Sequence, residues 1–381
     1  YRVAFPNDRG WRGARGMHLN TQYTHSQMAG YALGTRAGTD VEAARIVQLR
    51  VNGANLANDN TSLTFGSYIQ LEDTDSDYTA SHYPNDPNGN AYRGSKFPWD
   101  ANLSYYGTDP NAYYGARGRG YYKTSNASEN DWTDLITISA VLNTNTPSDA
   151  VYADAARQVA NVEQWMRSFA VYALAGSAET AFQTGVGDDY YMYRGIQDPR
   201  FILLAHDLDS ILGIGGGSTS YNLFRMCPFI GSGANAVVLN RFMTNAAFAP
   251  VYYQQLNQLL DTSFQPGEVS RTLDQALGDW VTPGTISSMK TWATNRYNWV
   301  RSQIPLALTV TNLIPVSTGY PRVTTATATL GGVANAIDTR RVTVNGSPAI
   351  WIAWQTRWIH TSIALQPGIN RLLVQAFDAT G

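Results

Sequence analysis

The sequence predicts an α+β chain in two units. Residues 1–304 read as mixed helix and strand, and residues 305–381 as an all-β module of the immunoglobulin-like sandwich kind. Three observations lead there. Apolar residues recur at helical spacing over 132–142, 151–175 and 235–304. Short alternating runs bounded by turn residues, such as Ile46–Val51 and Phe65–Glu72, read as strands. Near Pro305 the composition shifts: Val, Thr, Ile and Trp then alternate, and only Asp338 and Asp378 are acidic.

Taken in order, Trp11–Gly38 carries helical spacing at Leu19, Tyr23, Met28 and Leu33 and stops at glycine. The runs at 46–51 and 65–72 then form a hairpin, with Asn52-Gly53 as a turn signal. Residues 73–130 are rich in Asp, Asn, Gly, Pro and Tyr, and read as an irregular excursion over a larger fold. Helices follow at 132–142 and 151–175, then brief strands at 190–193 and 201–205. A glycine-rich run starts at Gly213, and helices dominate from Asn235 to Ile304. Beyond Leu306 come strands with turns at Asn345-Gly346 and Pro367-Gly368. Some 75 residues are short for a sandwich, which predicts a missing last strand and an open edge able to accept another chain.

Length and charge exclude several classes. At 381 residues the chain is long for one small domain, and 44% apolar content excludes wholesale disorder. A net charge of −2, from 27 basic and 29 acidic residues, gives no reason to expect nucleic acid as a partner. No apolar run is long enough for a membrane span. Charged residues make up 15%, below the roughly 25% of a typical soluble domain. The 33 Gly and 23 Tyr that help fill the gap suggest an exported bacterial protein, extracellular or at the cell surface. The start at Tyr1 and the stop at Gly381 read as a piece of a longer exported protein with an incomplete N-terminal part. One cysteine, Cys227, excludes an intrachain disulfide and reads as a packed apolar residue.

The most pointed segment is Phe201-Ile202-Leu203-Leu204-Ala205-His206-Asp207-Leu208-Asp209. An apolar strand ends in two carboxylates, and positions two apart in an extended chain share a face. Like charges held together shift a pKa or bind a cation, and oxygen-only ligands favour Mg²⁺, Mn²⁺ or Ca²⁺. The plainer account has Asp209 capping a turn and Asp207 paired with an arginine. Glu179, Asp188 and Asp189 form a second acidic group ahead of Tyr190. A hairpin of the two strands is expected to leave Asp188 and Asp189 at the end opposite Asp207 unless neighbouring elements fold back. Phosphate-loop, zinc-protease and nucleophile-elbow motifs are absent.

Several segments in sequence order resemble the CotH kinase family, atypical kinases first associated with bacterial spore coat proteins. They are Trp11-Arg12-Gly13-Ala14-Arg15-Gly16, Leu49-Arg50-Val51-Asn52-Gly53 with Phe65–Glu72, Gly89-Asn90-Ala91-Tyr92-Arg93-Gly94, and Tyr122-Lys123-Thr124. Asp188-Asp189-Tyr190-Tyr191-Met192-Tyr193 and His206-Asp207-Leu208-Asp209 follow. The resemblance implies an atypical kinase-like fold for 1–304 and ATP-dependent phosphoryl transfer to Ser or Thr of a surface or coat protein. It implies Asp207, Asp209 and Asp189 as metal-holding residues for Mg²⁺ or Mn²⁺, with Ca²⁺ the other choice. Glu179 and Asp188 take the catalytic places, and Arg15, Glu72 and Lys123 the nucleotide-binding ones. Four positions depart from the family pattern: Glu179 for Asp, Asp188-Asp189 for Asn-Asn, and His206 for Trp. These departures motivate an alternative, a catalytically silent structural subunit of a coat, surface layer or filament that self-associates through the β module. A carbohydrate-active reading draws on 10 Trp and 23 Tyr but lacks a carboxylate pair placed across a cleft.

Overall fold

The computed structural model describes residues 1–6, 8–11, 14–57, 61–179, 181–311 and 314–381. Two four-stranded antiparallel sheets and a set of helices make up the larger part. The first sheet runs Arg2–Ala4, Gly16–Asn20, Tyr68–Glu72, Ala44–Val47 across its width. The second runs Ile202–Ala205, Tyr190–Arg194, Asn90–Gly94, Tyr121–Lys123. The sheets meet where Val41 bridges Ala205 and the Ala205 N–H donates to the Asp40 carbonyl at 3.2 Å.

The helix expected over 11–38 is instead the strand Gly16–Asn20 followed by α1, Thr24–Arg36. Met17 and Leu19 are buried on one face of the strand, a two-residue period, and pair with Glu72 and Gln70. Arg12 and Gly13 of the motif quoted above lie outside the described residues. The hairpin holds with changed bounds: Ala44–Val47 lies beside Tyr68–Glu72. Asn52 and Gly53, at φ 51° and 83°, make a separate tight turn between Arg50–Val51 and Ala54–Asn55. Both central residues of such a turn need positive φ, which Asn and Gly tolerate.

In the irregular excursion, α2 (Ser76–His82) starts where the Asp75 carboxylate accepts from the N–H groups of Asp77 and Tyr78. The helical pattern at 132–175 divides into α3 (Thr133–Leu142), α4 (Asp149–Val159) and α5 (Val162–Ala175). The break after α4 is shaped by pairing, since Phe201 exchanges hydrogen bonds with Val159 and Asn161. The Asn161 side chain then caps α5, and Gly176 at φ 64° ends it. The wholly buried side chains of Trp165, Met166 and Phe169 on α5 lie in the main core. Around it stand α6 (Val238–Thr244), α7 (Ala249–Asp261), α8 (Pro266–Leu277) and α9 (Pro283–Ser302). Each of the last two opens with proline, which suits a first helical turn.

From Thr309 onward strands prevail. One sheet has the order 309–310, 327–333, 357–364, 350–352, and another 347–348, 341–344, 374–377. They enclose a small core of Leu330, Val342, Val344, Trp358 and Ile363. This part is anchored to the helices: Trp354 packs edge-to-face on Phe224 and Phe229, and its carbonyl accepts from the Tyr253 hydroxyl at 2.7 Å. No helix among the described residues is long and apolar enough to cross a membrane.

Candidate active site

The antiparallel pair Tyr190–Arg194 and Ile202–Ala205 builds the site. Its register sets Ala205 opposite Tyr190. The residues before the first strand and after the second therefore leave at the same end. Asp188 and Asp189 arrive beside His206 and Asp207, correcting the expectation that a hairpin would separate them. The strand also stops at Ala205, and Asp207 and Asp189 take left-handed backbone at φ 48° and 41°. Asp207 and Asp209 approach through a turn rather than along one face of an extended strand. Aspartate tolerates this conformation better than most non-glycine residues, and here the surroundings hold it there.

Those surroundings are specific. On α1, the Ser26 hydroxyl donates to the Leu208 carbonyl at 3.2 Å and accepts from the Ile211 N–H at 3.1 Å, clamping the turn. Gly30, one helical turn further on, lets Leu208 approach so closely that an added Cβ would lie 2.5 Å from Leu208 Cβ. The Ala178 N–H donates to the Ser210 carbonyl at 2.8 Å, which fastens the Glu179 loop to the same turn. Ser210 Oγ lies 2.7 Å from Asp209 Oδ1 and 3.1 Å from Glu179 Oε2. Asn20 Nδ2 donates to Asp207 Oδ1 at 3.4 Å.

The electrostatics follow from this crowding. Burial first, then Asp207 and Glu179, push the Asp209 carboxyl up to about 8. Burial, then Asp188 and Asp207, raise Asp189 to about 7 against His206 and Arg93. Asp207 is raised by burial, Glu179 and Glu42, with His206 and Arg93 opposing. Burial would lower the His206 imidazole, but Glu42, 2.9 Å from its Nδ1, overrides this and raises it. Glu42 is wholly buried and also accepts from the Tyr31 hydroxyl at 2.7 Å. Glu179, Asp188, Asp189, Asp207 and Asp209 thus share one electrostatic neighbourhood. Among the described residues, no three His, Cys, Asp or Glu side chains are arranged as a ready ligand set. The cluster is excess negative charge, with the oxygen donors that suit a hard divalent cation.

The cations facing it are not the expected ones. Lys123 lies opposite Tyr92, on the sheet face turned toward α3, and donates to the Asp131 carbonyl at 2.9 Å. Arg15 chelates Asp77 at the surface. Glu72 binds His82 Nε2 at 2.8 Å and accepts from the Ala43 N–H. These three contribute to other partnerships, because strand alternation and α2 direct them away from the acids. Arg93 and Lys96 take their place. Arg93 lies over the Tyr191 ring and reaches Asp189 at 3.9 Å. Lys96 donates its backbone N–H to Asp188 at 2.9 Å and sets its ammonium 3.3 Å from the same carboxylate. The sequence signal for Arg93 was its place in Gly89-Asn90-Ala91-Tyr92-Arg93. Glu42 and Ser26 carry no local signal.

The glycine run borders this site: Gly215 passes so close to Ser210 that a Cβ would lie 2.7 Å from its Oγ. Cys227 is buried, its thiol pushed up to about 12 by burial, in keeping with a packing role. An open depression of about 350 Å³ lies elsewhere, lined by Arg36 and residues 261–268.

Fold and site together define an α+β protein with a convergent carboxylate cluster faced by two cations. A family model described as CotH kinase protein matches residues 1–300, and the chain belongs to that family. No curated protein matches it. Among solved structures it is similar to the Helicobacter pylori proinflammatory kinase CtkA, at 10% identity and TM-score 0.36, over 78% of this chain and 91% of that one. It is also similar to a chain of the Shewanella oneidensis MR-1 toxin–antitoxin HipA, HipB and operator DNA complex. There the identity is 9% and the TM-score 0.38, over 79% of this chain and 63% of that one. Likeness at this level carries no argument about chemistry.

Proposed function

We propose that the chain is an exported atypical protein kinase that transfers the ATP γ-phosphate to Ser or Thr hydroxyls of a surface or coat protein. In this reading residues 1–304 are the catalytic unit and 305–381 an appended β module. The observation that carries it is the convergence of Glu179, Asp188, Asp189, Asp207 and Asp209 at one hairpin end, with Arg93 and Lys96 beside them. Phosphoryl transfer asks little covalent chemistry of a protein; it needs charge placed around the phosphates and a carboxylate to orient the attacking hydroxyl. Asp207 and Asp209, with Asp189 near, would hold Mg²⁺ or Mn²⁺, which when bound neutralises phosphate oxygens. Ca²⁺ suits the same oxygen donors. Arg93 and Lys96 would face the triphosphate. Glu179, tied through Ser210 to the same turn, would accept the proton of the hydroxyl.

The test is direct. ATP with Mn²⁺ should raise the melting temperature, and mass spectrometry should find phosphate on Ser or Thr of the chain itself or an added acceptor. Both effects should vanish in Asp207→Ala. A chain that responds to neither ATP nor Mn²⁺ is instead a silent structural subunit.

A further inference from the structure

Across the 176–179 turn from the acidic cluster lies a pair of opposite sign, Arg296 buried and Arg225 half-buried. α5 ends, and the chain turns through Gly176 and Ser177 before reaching Glu179. Arg296 of α9 and Arg225 close on that turn. Arg296 is 1% exposed; its Nε donates to the Ala173 carbonyl at 2.9 Å, and its Nη1 to those of Thr219 and Tyr221 at 3.0 and 2.7 Å. Its Nη2 is buried with no protein partner. Arg225 donates to the Ser177 carbonyl at 2.8 Å and lies 3.9 Å from the Tyr221 ring centroid. Among the described residues neither guanidinium forms a salt bridge with a carboxylate. The titratable groups acting on them are tyrosines and, for Arg296, Arg225. Burial lowers both, Arg296 to about 10.

Both arginines line a small, partly open cavity together with Ser177 and Gln183. Ser177 Oγ and Gln183 Oε1 are buried and without partners as well. The cavity leaves about 10 Å³ for the centre of a water-sized sphere, room for one small species. Carbonyl dipoles satisfy N–H groups but supply no net charge, and an uncompensated buried cation costs several kcal/mol. A neutral water would fill the space and leave the charge. An anion would answer both. The Gln183 amide, now donating to Ser168 Oγ at 3.1 Å, can turn over and present its NH₂ while the Ser168 hydroxyl donates to its oxygen.

We propose that this cavity binds a small monovalent inorganic anion of halide size, held by Arg225, Arg296 and the Ser177 hydroxyl. The site is independent of phosphoryl transfer, since it occupies the other side of the 176–179 turn.

The test uses the whole chain in sodium gluconate, exchanged for chloride or bromide at constant ionic strength. Halide should raise the melting temperature saturably by about 2–4 °C, as a ligand selective for the folded state does. The rise should vanish in Arg225→Gln and, should that variant fail to fold, in the milder Ser177→Ala. Crystals soaked in bromide should show an anomalous peak between Arg225 and Arg296. A melting temperature unchanged on exchanging gluconate for halide, or bromide found only elsewhere, overturns the proposal and leaves a water site. Kinase activity enters none of these readings, so this proposal and the proposed function fail separately.

Discussion

Ser177 and Glu179 stand two residues apart on one loop and face opposite electrostatic neighbourhoods. Glu179 joins four other carboxylates, among which Asp189, Asp207 and Asp209 have their pKa values raised by burial and by neighbouring charge; Ser177 joins two arginines with no carboxylate to balance them. Burying like charges together is unfavourable on either side, and a chain selected only for stability would have paired them across the loop. The two groups are kept apart by Gly176, whose left-handed backbone turns the chain, and by the Ala178 N–H bond to Ser210. Charge imbalance, more than cavity size, sets these two places apart from the rest of the molecule.

The largest expected effect breaks the acidic side. Asp207→Ala should reduce phosphate incorporation, measured by mass spectrometry, by about 10²–10³-fold or more, as removal of a charge-stabilising group does. The next concerns Asp209. Its carboxyl stays protonated in the fold to about pH 8 but ionises near pH 4 when unfolded. Between those values the unfolded chain binds fewer protons. This group's contribution is therefore fully present below about pH 4, falls as pH rises, and is gone above about pH 8. Asp209→Asn should flatten that fall in denaturant titrations and stabilise the chain at pH 8 by on the order of 1–3 kcal/mol. Added Mn²⁺ should stabilise the parent chain most at the alkaline end.

Arg93→Gln sharpens the contrast by removing a cation from the acidic side. By calorimetry it should tighten Mn²⁺ binding and weaken ATP binding, each by about tenfold. Lys123→Met should leave ATP affinity unchanged while lowering stability by about 1–3 kcal/mol, because its ammonium satisfies a structural carbonyl. The smallest effect belongs to Arg15→Ala, an exposed pair with Asp77, which should move stability by less than about 0.5 kcal/mol and ATP affinity not at all.

Much of the fold was legible because its signals are local. The 3.6-residue spacing marked α3, α5 and α9, and Asn52-Gly53 marked its turn. The strand at Gly16–Asn20 runs against its local pattern because a helix follows it directly and one of its two pairing partners, Tyr68–Glu72, lies some fifty residues away. In the site, Asp207 and Asp209 stood out as two acids after an apolar strand. Lys123 and Arg93 could not be separated from sequence, since one residue of strand phase decides which face each takes. Glu42 gave no hint, because its reason for being buried is His206, 164 positions away.

By itself the amino-acid order determined which stretches coil, which extend and where acids are concentrated, since these depend on neighbours within a few residues. The three-dimensional arrangement alone decided that the acids meet, that Arg93 and Lys96 are their counter-charges, and that Arg225 and Arg296 have none. Electrostatic partnership falls off over a few ångströms of space and takes no account of distance along the chain.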